Sequence, residues 1–497
     1  MSKLFNKQGY IPLKEYIEDI SCMTESGPWK LPFGFGDRLH FFFLKVVFKF
    51  SWFSALLFVL HESSVSPAYA VILAYLKKQK VFDYMMDTKL RHRGFYSFYL
   101  EKKVASFGKE TIISGQGISE DRSTALSIAI GEMIERYIVG IGDTHKSALN
   151  ASFKEISESY EVLYPPKYHR FLDVQKKKFK ELTHTEEDTI DWVKGRNLVT
   201  EASVYIPKQI TSWFDISSRS KGVFMNSTSN GAAGYFTQEG AILRGLLEVV
   251  QRDGFFVHWL TMTAPQVVLQ DTLSAAIQEK IQEFTIRGVS LHVLNITSLD
   301  IPSILVVGIN TQAEVPQIIV SAGVALTFDD AIKNALQEMV MMAEVFYFEK
   351  GRYEEHGLDF SKKEPFISNF GRMGRHAYWR GEEKVKEFGW FISGEEISYQ
   401  ELSQQDISSL PDDASKLAKC VAILEVKGKD YYPVVYYPKN NIQEKLGFYV
   451  VQVYIPKAFP LYITESYGTF DSDRLDEFAR SKNKYDWKLN QEPHMFP

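Results

Sequence analysis

Two segments of the chain carry residue types that could bind phosphate groups or metal ions. They are Gly131-Glu132-Met133-Ile134-Glu135-Arg136-Tyr137 and Gly245-Leu246-Leu247-Glu248-Val249-Val250-Gln251-Arg252-Asp253. In the first segment Glu132, Glu135 and Arg136 are three and four residues apart, so on a helix they share one face. Arg244, Glu248 and Arg252 repeat at intervals of four residues and also share a face. Carboxylates suit Mg²⁺ and Arg suits phosphate, so two such faces could hold metal ions and a triphosphate, or could only pair their own charges.

Long helices are predicted to position both segments. The apolar periodicity predicts helices over 119–137, 237–258 and 328–348. The segment 114–117 is predicted to be a turn before the first helix, and 226–234 a small-residue loop before the second. Strands are predicted at 204–207, 289–296, 303–309 and 448–455, and 362–387 is predicted to be a mobile surface segment. Strands and long helices mix without regular alternation, which indicates an α+β fold.

Composition limits the classes of function. The net charge of −5 leaves no basic surface for nucleic acid. Cys22 and Cys420 are the two cysteines, too few for a disulfide framework, and no secretory signal opens the chain, so we expect a cytoplasmic protein. Residues 1–85 are predicted to form a helical N-terminal module. Its apolar stretch 41–60 has an uncharged run of only 11 residues, Phe50 to Leu60, which is too short to span a bilayer and predicts a buried or docking helix.

From about residue 90 to its end, the chain resembles the YcaO family. The resemblance combines six segments in order, none of them specific alone: Gly115-Gln116-Gly117 before the first helix, Ser229-Asn230-Gly231-Ala232-Ala233-Gly234 before the second, Ile301-Pro302, Ala331-Ile332-Lys333-Asn334-Ala335-Leu336-Gln337-Glu338, Val453-Tyr454-Ile455-Pro456, and the tail Pro493-His494-Met495-Phe496-Pro497. It implies one YcaO-type domain over 86–497, with mixed sheets and long helices that carry the site. It also implies a possible homodimer.

The resemblance implies an activity as well. YcaO proteins typically bind ATP and Mg²⁺, and the azoline-forming branch converts Cys, Ser or Thr of a ribosomal precursor peptide to thiazoline or oxazoline by activating the backbone amide. A leader-binding partner protein usually belongs to a separate chain. The positions implied for the nucleotide are Gln116, Glu132, Glu135, Arg136, Arg244, Glu248 and Arg252, of which Glu132, Glu135 and Glu248 would bind metal. The proline-containing tail indicates the azoline-forming branch and implies catalytic positions at His494 and Pro497.

Several positions depart from the family pattern. Gln116 stands where Lys is usual, Gly240 where a metal-binding Glu is usual, and Arg244 where Gln or His is usual. Arg244 can pair with Glu248 one turn along the helix and supply positive charge in place of a metal ion. Two hypotheses therefore remain open. The chain is either an ATP-dependent cyclodehydratase with an altered nucleotide site, or a protein of the same fold that binds a precursor peptide or partner enzyme without using ATP.

Overall fold

The computed structural model describes residues 67–90, 95–106, 109–143, 146–213, 222–286, 288–310, 317–349, 363–407 and 410–496. They divide into two compact units. Unit 1 contains the described residues up to Gly142 together with Asn440–Phe448, and unit 2 contains those of Asp143–Lys439 and Tyr449–Pro497. The apolar stretch 41–60 lies outside the described residues. The boundary at residue 85 stays a prediction. Within the described ranges, no helix has the length and hydropathy needed to cross a membrane.

The helices and strands are numbered here in chain order. The helices are α1 Pro67–Lys78, α2 Arg122–Tyr137, α3 Phe153–Ser157, α4 Asp173–Lys178, α5 Lys208–Thr211, α6 Gln238–Leu260, α7 Ala275–Ile286, α8 Phe328–Glu349, α9 Gly371–Tyr378, α10 Glu382–Phe388, α11 Tyr399–Leu402, α12 Asp413–Val426, α13 Asn441–Leu446 and α14 Asp473–Ser481. The strands are β1 Tyr84–Leu90, β2 Phe95–Ser106, β3 Lys109–Ser119, β4 Leu149–Ala151, β5 Glu161–Val162, β6 His169–Arg170, β7 Ile190–Asn197, β8 Ser203–Pro207, β9 Ala232–Tyr235, β10 Gln266–Val268, β11 Val289–Asn295, β12 Ser303–Asn310, β13 Ile318–Val324, β14 Glu396–Ile397, β15 Val434–Tyr436, β16 Tyr449–Tyr454 and β17 Asp471–Ser472.

Unit 1 is built on an antiparallel sheet of order β1-β2-β3, against which α2 packs. The helix begins after Asp121, whose side chain accepts a hydrogen bond from the backbone N–H of Thr124 at 2.8 Å. Its buried face consists of apolar residues three and four apart, including Ala125, Ala129 and Met133. The predicted helix is therefore confirmed, with its start at Arg122 instead of Ser119.

The predicted turn at 114–117 is wrong, because these residues lie inside β3. A Cβ atom added to Gly115 would lie 2.6 Å from the carbonyl oxygen of Ala129, and one added to Gly117 would lie 2.6 Å from the backbone nitrogen of Ala129. Glycine inside a strand often marks a place where another backbone approaches closely. Both glycines are thus required for the backbone of α2 to pack directly on β3.

Unit 2 contains two larger sheets and a small pair formed by β17 and β6. One sheet has the order β13-β12-β11-β10-β14 and is antiparallel except for the β10–β14 pair. The other has the order β5-β8-β7-β15-β16-β9, with β4 also paired to β7, and of its described strand pairs only β5 and β8 run parallel. Helix α6 contacts β9 and β16 of one sheet and β12 and β13 of the other, so most of its residues are buried. These mixed sheets and helices confirm the predicted α+β fold.

The segment 363–387 differs from its prediction as a mobile surface segment. It forms α9 and most of α10, and it places Tyr378 and Trp379 in a large aromatic core. Trp379 packs edge-on against Trp259 of α6, and its indole N–H donates to the carbonyl oxygen of Pro493 at 2.7 Å. The many charged residues suggested a solvated loop, but the buried aromatic area decides the packing here.

Candidate functional site

In unit 1, Glu132 of α2 bridges the helix to β3. Its Oε2 atom accepts a hydrogen bond from the backbone N–H of Gln116 at 2.5 Å, and its Oε1 atom lies 2.6 Å from Nη2 of Arg136. Nη1 of Arg136 in turn donates to the carbonyl oxygen of Ser114 at 2.9 Å. We call Ser114, Gln116, Glu132 and Arg136 the first carboxylate cluster. It fixes an ion pair against the backbone of a strand.

The predicted residue Glu135 lies beside the first carboxylate cluster, and Gln116 belongs to the cluster through its backbone. Glu135 is half-buried and lies on α2 next to the Glu132–Arg136 pair. The side chain of Gln116 points away from α2, since Gly115 and Gly117 face the helix and side chains alternate along a strand. The part of Gln116 that meets the cluster is thus its backbone N–H.

In unit 2, Glu248 of α6 makes the same kind of bridge. Its Oε2 atom accepts from the backbone N–H of Gly231 at 2.7 Å, and its Oε1 atom lies 2.6 Å from Nη2 of Arg252. Gly231 has φ +75°, and a Cβ on Gly245 would lie 2.5 Å from its carbonyl oxygen. A side chain at either position would separate the loop from the helix. We call Gly231, Glu248 and Arg252 the second carboxylate cluster.

A third helix repeats part of this arrangement. Oε2 of Glu338 on α8 accepts from the backbone N–H of Ala322 in β13 at 3.1 Å. Met342 stands four residues further on, where the other two helices have Arg. Glu338 is not among the residues predicted for the site. The available signal was that each of the three glutamates follows a strand or loop of small residues, namely 114–117, 229–234 and 321–323.

Arg244 does not pair with Glu248, contrary to the sequence prediction. Its Nη1 atom donates to the carbonyl oxygen of Gly240 at 2.9 Å and to Oδ2 of Asp413 at 3.2 Å. Its guanidinium carbon lies 3.5 Å from the ring centroid of Tyr235. Asp413 belongs to α12, which packs against α6, so only tertiary structure brings it here. We call Tyr235, Gly240, Arg244 and Asp413 the Arg244 cluster.

The residues of unit 2 fit a phosphate group better than a metal ion. Nε and Nη1 of Arg252 are buried and have no hydrogen-bond partner among the described residues, so this guanidinium keeps two donors for an anion. At Gly240, where the resemblance implies a metal-binding carboxylate, a Cβ atom would lie 2.6 Å from Oδ2 of Asp413. Asp413 is already neutralised by Arg244. Within the described residues of either unit, no three His, Cys, Asp or Glu side chains lie close enough to hold a metal ion.

The tail residue His494 is fully buried in the aromatic core of unit 2, next to Phe256 and Tyr462. Its Nε2 atom lies 2.6 Å from Nη1 of Arg375 and 3.1 Å from the carbonyl oxygen of Tyr462. Burial lowers the pKa of His494 well below 6.5, and the charge of Arg375 lowers it further. The imidazole is therefore neutral and anchors the tail. The other predicted tail residue, Pro497, lies outside the described residues.

Comparisons with solved structures establish the relatives of this fold. A heterocyclase in complex with substrate and cofactor is 18% identical, with a TM-score of 0.66 over 86% of this chain and 57% of that chain. YcaO from Methanopyrus kandleri, bound with AMPPCP and Mg²⁺, is 16% identical, with a TM-score of 0.56 over 82% of this chain and 95% of that chain. The E. coli microcin synthetase McbBCD complex contributes a chain that is 12% identical, with a TM-score of 0.52 over 80% of this chain and 95% of that chain.

The chain thus spans just over half the length of the first heterocyclase. No curated protein matches it by sequence. The profile of the YcaO cyclodehydratase family, described as ATP- and Mg²⁺-binding, matches residues 114–458. That range contains both carboxylate clusters and the Arg244 cluster, and it exceeds half of the 497 residues. The chain therefore belongs to the YcaO family.

Proposed function

We propose that this chain is the YcaO component of a peptide heterocyclase of the azoline-forming type. It converts Cys, Ser or Thr of a ribosomal precursor peptide to thiazoline or oxazoline, with ATP-dependent activation of the backbone amide. The observation that carries the proposal is the pair of carboxylate clusters, in which Glu132 and Glu248 are each fixed by a backbone N–H and an Arg. Both lie in the range matched by a cyclodehydratase family.

The proposed reaction needs the amide oxygen to become a leaving group. The side-chain nucleophile of the peptide adds to the carbonyl carbon, which closes the ring. Departure of the former carbonyl oxygen then forms the C=N bond, and with the protons of the nucleophile and of the amide N–H the peptide loses one water in net terms. When bound, ATP supplies the phosphoryl group that makes the oxygen a good leaving group. The chain contributes positive charge and a fixed geometry. The two unpartnered donors of Arg252 suit a phosphate oxygen, and the ion pair fixes the carboxylate of Glu248 beside them.

The proposal includes partners. The chain works in the cytoplasm with a precursor peptide and a separate leader-binding protein, and it dimerises with a second copy of itself. Two relatives support the peptide and the partner: the E. coli microcin synthetase is a complex of several proteins, and one of its structures has pro-MccB17 bound. In this scheme the buried His494 acts by anchoring the tail that leads to Pro497.

The test is reconstitution of ring formation. The full chain is combined with the precursor peptide and partner proteins encoded beside its gene, with ATP and Mg²⁺, and mass spectrometry measures the loss of one water per ring. We expect dehydration with the native chain and none with the Glu132→Gln/Glu248→Gln variant. The Glu283→Gln variant, which changes an exposed residue of α7, is the matched control and should retain the activity.

A second candidate function follows from the Arg244 cluster. Because Asp413 and Arg244 neutralise each other at Gly240, the chain could serve as a scaffold that binds the peptide or a partner enzyme and uses no ATP. In that case dehydration requires the chain but does not change in the Glu132→Gln/Glu248→Gln variant. This result would refute the proposed catalytic role and support the scaffold.

A further inference from the structure

Arg244 is held in one orientation by three different elements. Its guanidinium lies against the ring of Tyr235 from β9, at 3.5 Å from the centroid, and Nη1 contacts Gly240 of its own helix and Asp413 of α12. Stacking on an aromatic ring together with a carboxylate and a carbonyl contact leaves few rotamers open. The side chain is therefore preorganised before any ligand arrives.

The outer edge of this guanidinium is uncommitted. Among the described residues, Nε and Nη2 of Arg244 have no hydrogen-bond partner, and 43% of the side chain is exposed. A ligand can reach this edge from solvent. A guanidinium with two adjacent donors fits two oxygens of a phosphate group, which is the geometry that makes Arg a strong phosphate-binding residue.

The same cluster disfavours a metal ion. A carboxylate side chain at residue 240 would collide with Tyr235 and Asp413, because its Cβ alone would lie 2.6 Å from Oδ2 of Asp413. Asp413 does bring a carboxylate to this place, but Arg244 neutralises it at 3.2 Å. A divalent cation there would meet a fixed positive charge and one carboxylate, whereas Mg²⁺ binds where oxygen ligands are available without a competing cation.

Arg252 extends the same helix face. It lies eight residues after Arg244, which is about 12 Å along a helix, and it also has unpartnered donors at Nε and Nη1. Two guanidinium groups with uncommitted N–H bonds thus flank Glu248 on α6.

We propose that Arg244 binds a phosphate group of the ligand directly and neutralises its charge in place of a metal ion. This chain therefore binds polyphosphate with little dependence on Mg²⁺. The inference deepens the proposed function, because it concerns the nucleotide site of that reaction. A nucleotide and free inorganic triphosphate share the recognised chemistry, so the test includes both.

The test is isothermal titration calorimetry on the full chain in buffer with EDTA. ATP and inorganic triphosphate are titrated separately into the native chain, the Arg244→Gln variant and the Arg480→Gln variant, which changes an exposed Arg of α14 as the matched control. We expect ATP to bind without Mg²⁺, and Arg244→Gln to weaken binding by about tenfold or more, as loss of charge-assisted hydrogen bonds predicts. Arg480→Gln should bind like the native chain. Triphosphate binding with the same Arg244 dependence also supports the inference and shows that phosphate alone is recognised.

Two results would overturn the inference: no binding in EDTA, or equal affinity of Arg244→Gln and the native chain. If a thermal unfolding measurement shows that the Arg244→Gln variant is not folded, the Arg244→Lys variant replaces it. Lys keeps the charge but lacks the planar pair of donors, so the same weakening of binding is expected. The ring-formation assay separates the two proposals. If rings form but ATP binds only with Mg²⁺, the role of Arg244 is refuted and the heterocyclase function stands. If binding depends on Arg244 but no rings form, the heterocyclase function is refuted and the role of Arg244 stands.

Discussion

Replacing Glu248 by Ala should loosen the loop that precedes α6. In the native chain Glu248 accepts from the backbone N–H of Gly231 at 2.7 Å and pairs with Arg252 at 2.6 Å. The side chains of Glu248 and Arg252 are 27% and 13% exposed, so both interactions are mostly shielded from water. The Ala variant leaves a buried N–H without an acceptor and a largely buried guanidinium without its carboxylate.

The size of the effect follows from these two losses. An unsatisfied buried N–H costs about 1.5 kcal/mol. Loss of the ion pair adds about 1.5 kcal/mol, the low end for a hydrogen bond to a charged group, because both side chains keep some exposure. The Ala variant should therefore lower the local opening free energy by about 3 kcal/mol, which makes amide exchange at Gly231 about 150-fold faster. Glu248→Gln keeps an acceptor oxygen, so it should lose only the ion pair and accelerate exchange about tenfold.

Hydrogen–deuterium exchange of the peptide that covers Gly231 measures this directly. Glu239→Ala, an exposed residue in the first turn of the same helix, is the matched control and should leave exchange at Gly231 unchanged. The order of exchange rates should be Ala variant, then Gln variant, then native chain. If the Ala and Gln variants exchange equally fast, the hydrogen bond to Gly231 contributes nothing. If neither differs from the native chain, the second carboxylate cluster does not hold the loop.

Three further outcomes are expected. Glu132→Ala should accelerate amide exchange at Gln116 in unit 1 for the same reason, with Glu132→Gln intermediate, and equal rates in both variants would contradict the bridge. Gly245→Ala should lower the urea midpoint strongly, because the added Cβ would lie 2.5 Å from the carbonyl oxygen of Gly231, while Gly389→Ala meets only open space and should be nearly neutral; similar midpoints would refute the close packing. His258 has its pKa lowered to about 4 by burial, so the unfolded chain binds more protons below pH 6.5 and stability should fall as the pH drops from 6.5 towards 4. His258→Gln should make that fall in the urea midpoint shallower, and an unchanged slope would show that burial of His258 carries no pH dependence.

The sequence predicted those parts of the site that depend on local spacing. The i, i+4 spacing of Glu132 with Arg136 and of Glu248 with Arg252 predicts neighbours on one helix face, and the structure has both ion pairs. The same rule failed for Arg244 and Glu248. Two other groups competed for these side chains: Asp413 for Arg244, and Arg252 for Glu248. Helical spacing states which residues can meet, but not which of several partners is preferred.

Tertiary packing was harder to predict than the helices themselves. The segment 363–387 has many charged residues, yet Trp379 is only 1% exposed because it packs on Trp259 and the tail. Likewise, Gly115 and Gly117 were predicted in a turn, since glycine is common in turns. Glycine also permits a helix to approach a strand closely, and the sequence does not distinguish these two uses.

The sequence by itself determined the long helices, the α+β class and the carboxylate–arginine pairs, because all of these depend on residues within a few positions of one another. Tertiary structure alone decided the partners that give the site its character. The backbone N–H groups of Gln116 and Gly231 meet Glu132 and Glu248 from 16 and 17 residues away, and Asp413 meets Arg244 from 169 residues away. Such contacts depend on how strands and helices pack, which periodicity does not encode. The packing around Gly240 therefore decides whether the residues near α6 favour a metal ion or a directly bound phosphate.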